Sequence, residues 1–145
     1  MFNSILVVCT GNICRSPIGE RFLRRALPGK KIDSAGTGAL IKHSADLSAV
    51  KISSQYGLSL AGHQGQQFTS SLGREYDLIL AMEKFHIEQI SRIAPEARGK
   101  TMLFGHWINQ QEIPDPYQKS DEAFASVYRL IEQAGQCWVE KLGAK

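Results

Sequence analysis

Apolar residues fall into two rhythms along this chain. Ile5-Leu6-Val7-Val8 is a continuous apolar run rich in β-branched residues, the pattern of a strand buried on both faces of a parallel sheet. After it the spacing lengthens, and Ile18, Phe22, Leu23, Ala26 and Leu27 form one helical stripe. Ser16-Pro17 reads as the start of that helix, with Ser16 as cap and Pro17 as first helical residue, and Pro28-Gly29 stops it. A short strand is expected around Lys31-Ile32-Asp33. The stretch Ser34-Ala35-Gly36-Thr37-Gly38 follows as a flexible segment whose glycines permit tight turning or close approach to a ligand. Helix resumes from Ala45 to Tyr56 and ends at Gly57.

Tyr76 to Met82, with Leu78-Ile79-Leu80 inside it, is the third predicted strand. Ile87, Ile90 and Ala94 mark a short helix that ends before Pro95. Thr101-Met102-Leu103-Phe104 is the fourth strand. Gly105 to Lys119 carries Pro114 and Pro116 and reads as a long loop, a feature that is usually functional in a compact domain. In the last helix Ser120 serves as cap, Asp121 and Glu122 suit the first turn, and Phe124, Val127, Tyr128, Ile131, Gly135, Trp138 and Leu142 define the buried face. Strands separated by helix-length crossovers imply right-handed βαβ units. The expected fold class is therefore α/β, a three-layer α/β/α sandwich with a central four-stranded parallel sheet, in a single domain over residues 1–145. Sites in such sheets lie beyond the carboxyl ends of the strands.

Composition narrows the function classes. At 145 residues the chain is long enough for one core without disulfide staples. No apolar run approaches the ~18 residues of a membrane span, and the N-terminus lacks the marks of a secretory signal. Three cysteines, Cys9, Cys14 and Cys137, are an odd number without framework spacing, which suits a reducing, cytoplasmic compartment. Cys137 is expected in the core beside Trp138. A formal charge of +3 is too small for a nucleic-acid footprint. The densest basic cluster, Arg21, Arg24 and Arg25, reads as a solvated helix face.

The chemistry lies between the first strand and its helix. Cys9 and Arg15 bracket Thr10, Gly11, Asn12, Ile13 and Cys14, with Ser16 next. So short a loop can curl with its backbone N–H groups inward, and the helix N-terminus adds positive potential. It is a cradle for a tetrahedral dianion. Gly11 eases the backbone angles, and Asn12 tolerates the left-handed region. Arg15 offers a planar fork for two phosphate oxygens. The field that holds phosphate also favours an anionic sulfur nucleophile at Cys9, to which Ser16 can donate a hydrogen bond. Displacing a phenol from phosphorus needs a proton donor opposite the nucleophile. Asp115, held between Pro114 and Pro116, is the candidate, and Tyr117 offers an aromatic wall for a flat substrate.

These segments, Val8-Cys9-Thr10-Gly11-Asn12-Ile13-Cys14-Arg15-Ser16-Pro17, Asp33-Ser34-Ala35-Gly36-Thr37 and Asp115-Pro116-Tyr117, resemble the low-molecular-weight protein tyrosine phosphatases over essentially the whole chain. Tyr76 to Glu83 and Met102 to Trp107 resemble the bacterial capsule and exopolysaccharide branch. The resemblance implies Cys9 as nucleophile, Arg15 as phosphate clamp and Asp115 as general acid and then base, with no metal or other cofactor. It further implies that Asn12 and Ser16 hold the loop and that Ser34 and His63 support it. It implies one pocket wall at Leu40 and another at Tyr117, and a Cys14 able to form a reversible disulfide with Cys9. The implied partner is a phosphotyrosine protein, an autophosphorylating bacterial tyrosine kinase of polysaccharide export, met by a monomer that neither binds nucleic acid nor inserts in membrane.

Two positions depart from the eukaryotic pattern: Leu40 stands where a large aromatic is common, and Gln118 where a second Tyr is common. Both open the expected pocket mouth. An arsenate reductase on the same scaffold and a module that binds phosphotyrosine without turnover stay as alternatives. The first lacks its Cys pair, since Met82 to Gln89 contains no cysteine. The second is at odds with an intact Cys9, Arg15 and Asp115.

Overall fold

The structure, a computed structural model, describes residues 2–143. Four parallel strands, β1 (Ser4–Cys9), β2 (Lys31–Gly36), β3 (Leu78–Ala81) and β4 (Thr101–Leu103), form one sheet in the order β2-β1-β3-β4. Alternate residues of the two central strands face opposite layers. Ile5, Val7, Leu78 and Leu80 pack with residues of α1 (Arg15–Ala26), α2 (Leu47–Gln55) and α5 (Asp121–Gly143). Leu6, Val8, Ile79 and Ala81 pack with α4 (Lys84–Ile93) and the 3-10 helix Pro95–Lys100 through Ile90, Ala94 and Ala97. The three-layer α/β/α sandwich expected from the sequence is thus the observed fold. Each of these strand residues is removed from water on both faces of the sheet, and a buried Leu, Ile or Val contributes about 1.5–3 kcal/mol.

The strand order sets the site. From β1 the chain goes outward to β2 on one side, then crosses to β3 on the other. Loops leaving β1 and β3 therefore diverge at their carboxyl ends and open a crevice there. The loop after Cys9 lies on one side of that crevice, and the start of α4 on the other.

Several expectations need correction. The first helix begins at Arg15 with Cys14 as its cap residue, so Ser16 is not the cap and Pro17 is the third helical residue. Ser34 to Gly36 are not a flexible stretch but the end of β2, in register with Val7 to Cys9. Gly36 does allow a close approach, to the protein itself: a Cβ there would meet the Thr10 carbonyl oxygen at 2.2 Å. The short α3 (Ser70–Gly73), capped by Thr69, and the 3-10 helix were not expected from periodicity. The predicted helix from Ala45 starts at Leu47, because the Asp46 carboxylate accepts from the Ser48 and Ala49 N–H groups.

The arginine cluster is not simply a solvated face. Arg21 and Arg24 both reach the buried Glu20, and they bond the carbonyls of Ala61 and Ile32. Cys137 is half-buried rather than in the core. The last helix matches its prediction closely, with the Ser120 hydroxyl accepting from Ala123 N–H and Phe124, Val127, Tyr128, Ile131, Gly135 and Trp138 buried. Among the described residues, no helix is long and apolar enough to cross a membrane.

Candidate active site

Cys9 is the last residue of β1 and Arg15 the first of α1, so the intervening loop is tied at both ends to packed elements. Cys9, Asn12, Cys14, Arg15 and Ser16 are all buried. The left-handed turn that curls the loop falls on Asn12, at φ 60°, and not on Gly11. Asn accepts this region at lower cost than most residues, and its side chain adds the hydrogen bonds that hold it.

Asn12 is the hub of one side of the loop. Its amide nitrogen donates to Ser16 Oγ at 2.8 Å and to Ser34 Oγ at 3.0 Å, while its Oδ1 accepts from Gln66 N–H at 2.9 Å. Ser34 passes the chain on, donating to Glu20 Oε1 at 2.6 Å. His63 Nε2 lies 2.6 Å from the Asn12 carbonyl oxygen; an oxygen acceptor there requires the ring to donate through Nε2. Burial lowers the His63 pKa from its ordinary value, against the opposing pull of the Asn12 carbonyl. Ser16 Oγ closes the chain at 3.0 Å from Cys9 Sγ.

Arg15 is held on the opposite side. Its guanidinium bonds the Glu83 carboxylate, donates to the Ile113 carbonyl at 2.7 Å, and lies 3.9 Å from Asp115 Oδ2. Asp115 is half-exposed, and its Oδ1 accepts from Tyr117 N–H at 3.0 Å, an Asx turn that fixes which oxygen faces Arg15. Thr10 Oγ1 lies 2.8 Å from His86 Nε2, and the other ring nitrogen accepts from Glu83 N–H at 3.1 Å.

A cavity of about 210 Å³ opens over this loop, lined by Cys9, Thr10, Gly11, Ile13, Cys14, Arg15, Gly38, Leu40, Asp115 and Tyr117. The structure thus brings the loop, Leu40, Asp115 and Tyr117 to one pocket, with Ser34 and His63 behind it. A wider open cleft of about 730 Å³ lies elsewhere, lined by residues from Ala26 to Lys30 and the end of α5, and carries none of these groups. Burial, and next the Asp46 carboxylate, push the Cys14 thiol well above its ordinary value. Among the described residues, no three His, Cys, Asp or Glu side chains group to hold a metal ion.

The sequence pattern of the low molecular weight phosphotyrosine protein phosphatase family matches residues 4–145. The chain belongs to that family. It is 69% identical to a putative low molecular weight protein-tyrosine-phosphatase of Klebsiella pneumoniae, over 99% of this chain and 100% of that protein. It is 60% identical to the phosphatase Etp of Escherichia coli K12, over 97% of this chain and 95% of the other. The crystal structure of the tyrosine phosphatase Wzb from Escherichia coli K30 with sulphate superposes with a TM-score of 0.97 at 69% identity, covering 98% of this chain and 99% of that one. The enzyme is a low molecular weight protein-tyrosine-phosphatase.

Three polar residues of the phosphatase site escaped the sequence reading: Glu20, Glu83 and His86. Glu20 shares the α1 segment with Arg21 and Arg24, and its spacing to Arg24 is that of a helical ion pair, which is the one local signal available. Glu83 and His86 meet the loop from 68 and 76 residues away. No local pattern points to them.

Proposed function

We propose that the enzyme hydrolyses phosphotyrosine through a cysteinyl-phosphate on Cys9. The observation that carries this reading is the placement of Cys9 Sγ, 3.0 Å from Ser16 Oγ, in a pocket that also contains the Arg15 guanidinium and the Asp115 carboxyl. The Cys9 thiolate attacks phosphorus, and the bond from phosphorus to the tyrosine oxygen breaks. Arg15 and the N–H groups from Thr10 to Ser16 balance charge on the equatorial oxygens. Asp115 gives its proton to the departing tyrosine oxygen. As a carboxylate it then takes a proton from water, whose oxygen attacks phosphorus; the phosphorus–sulfur bond breaks, leaving inorganic phosphate and the Cys9 thiolate. Ser34 and His63 keep the loop in shape through Asn12, and Leu40 and Tyr117 flank the substrate ring. No step calls for a metal.

The substrate proposed is the autophosphorylated tail of a bacterial tyrosine kinase of polysaccharide export, met in the cytoplasm by a monomeric phosphatase. Support comes from the high identity to relatives named Etp and Wzb, from the aliphatic Leu40 that leaves the pocket mouth open to a bulky segment, and from three free cysteines. A Cys9→Ser trap incubated with lysate of the source cell tests the substrate. Retention of a tyrosine-rich kinase tail is expected; a set of unrelated phosphoproteins without it contradicts the assignment.

A further inference from the structure

We propose that His86 is a positioning residue for catalysis, joining the first residue of the phosphate loop after Cys9 to the carboxylate that aligns Arg15. The ring is completely buried in the first turn of α4. Its Nδ1 accepts from Glu83 N–H at 3.1 Å, so the proton of the neutral ring resides on Nε2. Nε2 therefore donates to Thr10 Oγ1, 2.8 Å away. Burial, and next the nearby Arg15 cation, hold the His86 pKa down to about 4, with Asp115 opposing; the neutral tautomer is the one present at neutral pH.

The consequence is geometric. Thr10 begins the loop and Arg15 ends it. His86 touches Thr10 directly and reaches Arg15 through Glu83, whose carboxylate bonds the guanidinium. Asn12, Ser34 and His63 support the middle of the loop by a separate set of bonds, so His86 supports its two ends. The Thr10 carbonyl already abuts Gly36, which leaves the Thr10 side chain as the adjustable attachment. Loss of the ring frees Thr10 foremost, and the loop that carries Arg15 shifts with it. A small shift of Arg15 weakens its grip on the transition state more than on the bound substrate, so turnover suffers before binding does.

The two arms of the imidazole can be replaced singly. In Gln the terminal amide N–H takes the place of Nε2–H, and in Asn the side-chain carbonyl takes the place of Nδ1. With para-nitrophenyl phosphate, His86→Ala is expected to lower kcat by about tenfold and change KM by less than about threefold. His86→Gln restores kcat to within about threefold of wild type, and His86→Asn remains close to Ala. Thr10→Val also loses about tenfold, and combined with His86→Ala it adds little, because both remove the same bond. The inference rests on the roles proposed for Cys9 and Arg15, so Cys9→Ser is measured alongside. Full turnover in Cys9→Ser overturns that reading itself, whatever His86 does. With Cys9→Ser inactive, a His86→Ala enzyme within about twofold of wild-type kcat overturns the inference, as do Gln and Asn variants of equal activity or losses for Thr10 and His86 that multiply. Should His86→Ala not fold, the Gln and Asn pair and Thr10→Val decide the same question.

Discussion

Ser16 Oγ lies 3.0 Å from Cys9 Sγ while its other side accepts the Asn12 amide at 2.8 Å. Because Asn12 occupies one lone pair, the hydroxyl proton can run to the sulfur, as the proposed attack by a Cys9 thiolate requires. A hydrogen bond to a charged acceptor contributes about 1.5–3 kcal/mol. Ser16→Ala is therefore expected to lower kcat for para-nitrophenyl phosphate by roughly ten- to a hundredfold and to slow alkylation of Cys9 by iodoacetamide at neutral pH. Unchanged values for both contradict the arrangement.

Asp115 is half-exposed, with one oxygen held by Tyr117 N–H and the other facing Arg15. If it protonates the leaving oxygen, its worth depends on how basic that oxygen is. Asp115→Asn is expected to cost about a hundredfold or more in kcat with a phosphotyrosine peptide, and distinctly less with an aryl phosphate whose phenol is strongly acidic. Equal losses across a series of leaving groups assign Asp115 some other role.

Acidification reaches the site through its buried histidines. His86 is held near 4 and His63 is also lowered, in both cases chiefly by burial, against an ordinary value of 6.5 for each. Unfolded chains therefore bind these protons before the folded protein does, so the stability that the neutral histidines contribute is complete above 6.5 and is lost as pH drops toward 4. The His86 contribution is on the order of 3 kcal/mol across that window. Urea unfolding at pH 7 and pH 4.5 is expected to show the loss, with a smaller difference in His86→Gln. The same difference in both proteins contradicts the link to His86.

Cys14 lines the pocket with Cys9, yet burial and Asp46 hold it as thiol. Cys14→Ser is expected to leave kcat within about twofold of wild type, since no charge is lost. Peroxide is expected to oxidise the Cys9 sulfur to a sulfenic acid, on which Cys14 would close a disulfide, with water leaving. Capture by a reluctant thiolate is slow. Without Cys14 the sulfenic acid is oxidised by further peroxide to a sulfinic acid that dithiothreitol does not reduce, so after slow dosing with dilute peroxide the reductant is expected to restore wild type and not Cys14→Ser. Equal recovery of the two proteins contradicts a protective disulfide.

How far the sequence could be read depended on where each residue's partners lie. The run Ile5 to Val8 and the stripe of the last helix carry their burial in their own spacing, and both elements formed as expected. Ser16 looked like a helix cap because capping is a local habit of Ser before Pro; its hydroxyl is instead committed to Cys9 and Asn12. Ser34 and His63 were found by family resemblance alone, since their bonds to Asn12 span 22 and 51 residues. Glu83 and His86 were not found at all. The crevice between β1 and β3 brings them to the loop, and that pairing exists only once the sheet has formed.

The central claim is a covalent phosphate on Cys9, and it is tested most directly by denaturing the enzyme rapidly during turnover of para-nitrophenyl phosphate, whose acidic phenol leaves without a proton donor, and locating any phosphate adduct by mass spectrometry. Asp115→Asn, in which loss of the proposed general base is expected to retard hydrolysis of the intermediate, is run beside wild type. The result expected is one phosphate on the peptide containing Cys9, enriched in Asp115→Asn and absent in Cys9→Ser. An adduct on another residue, or brisk turnover by the Cys9→Ser protein, contradicts it.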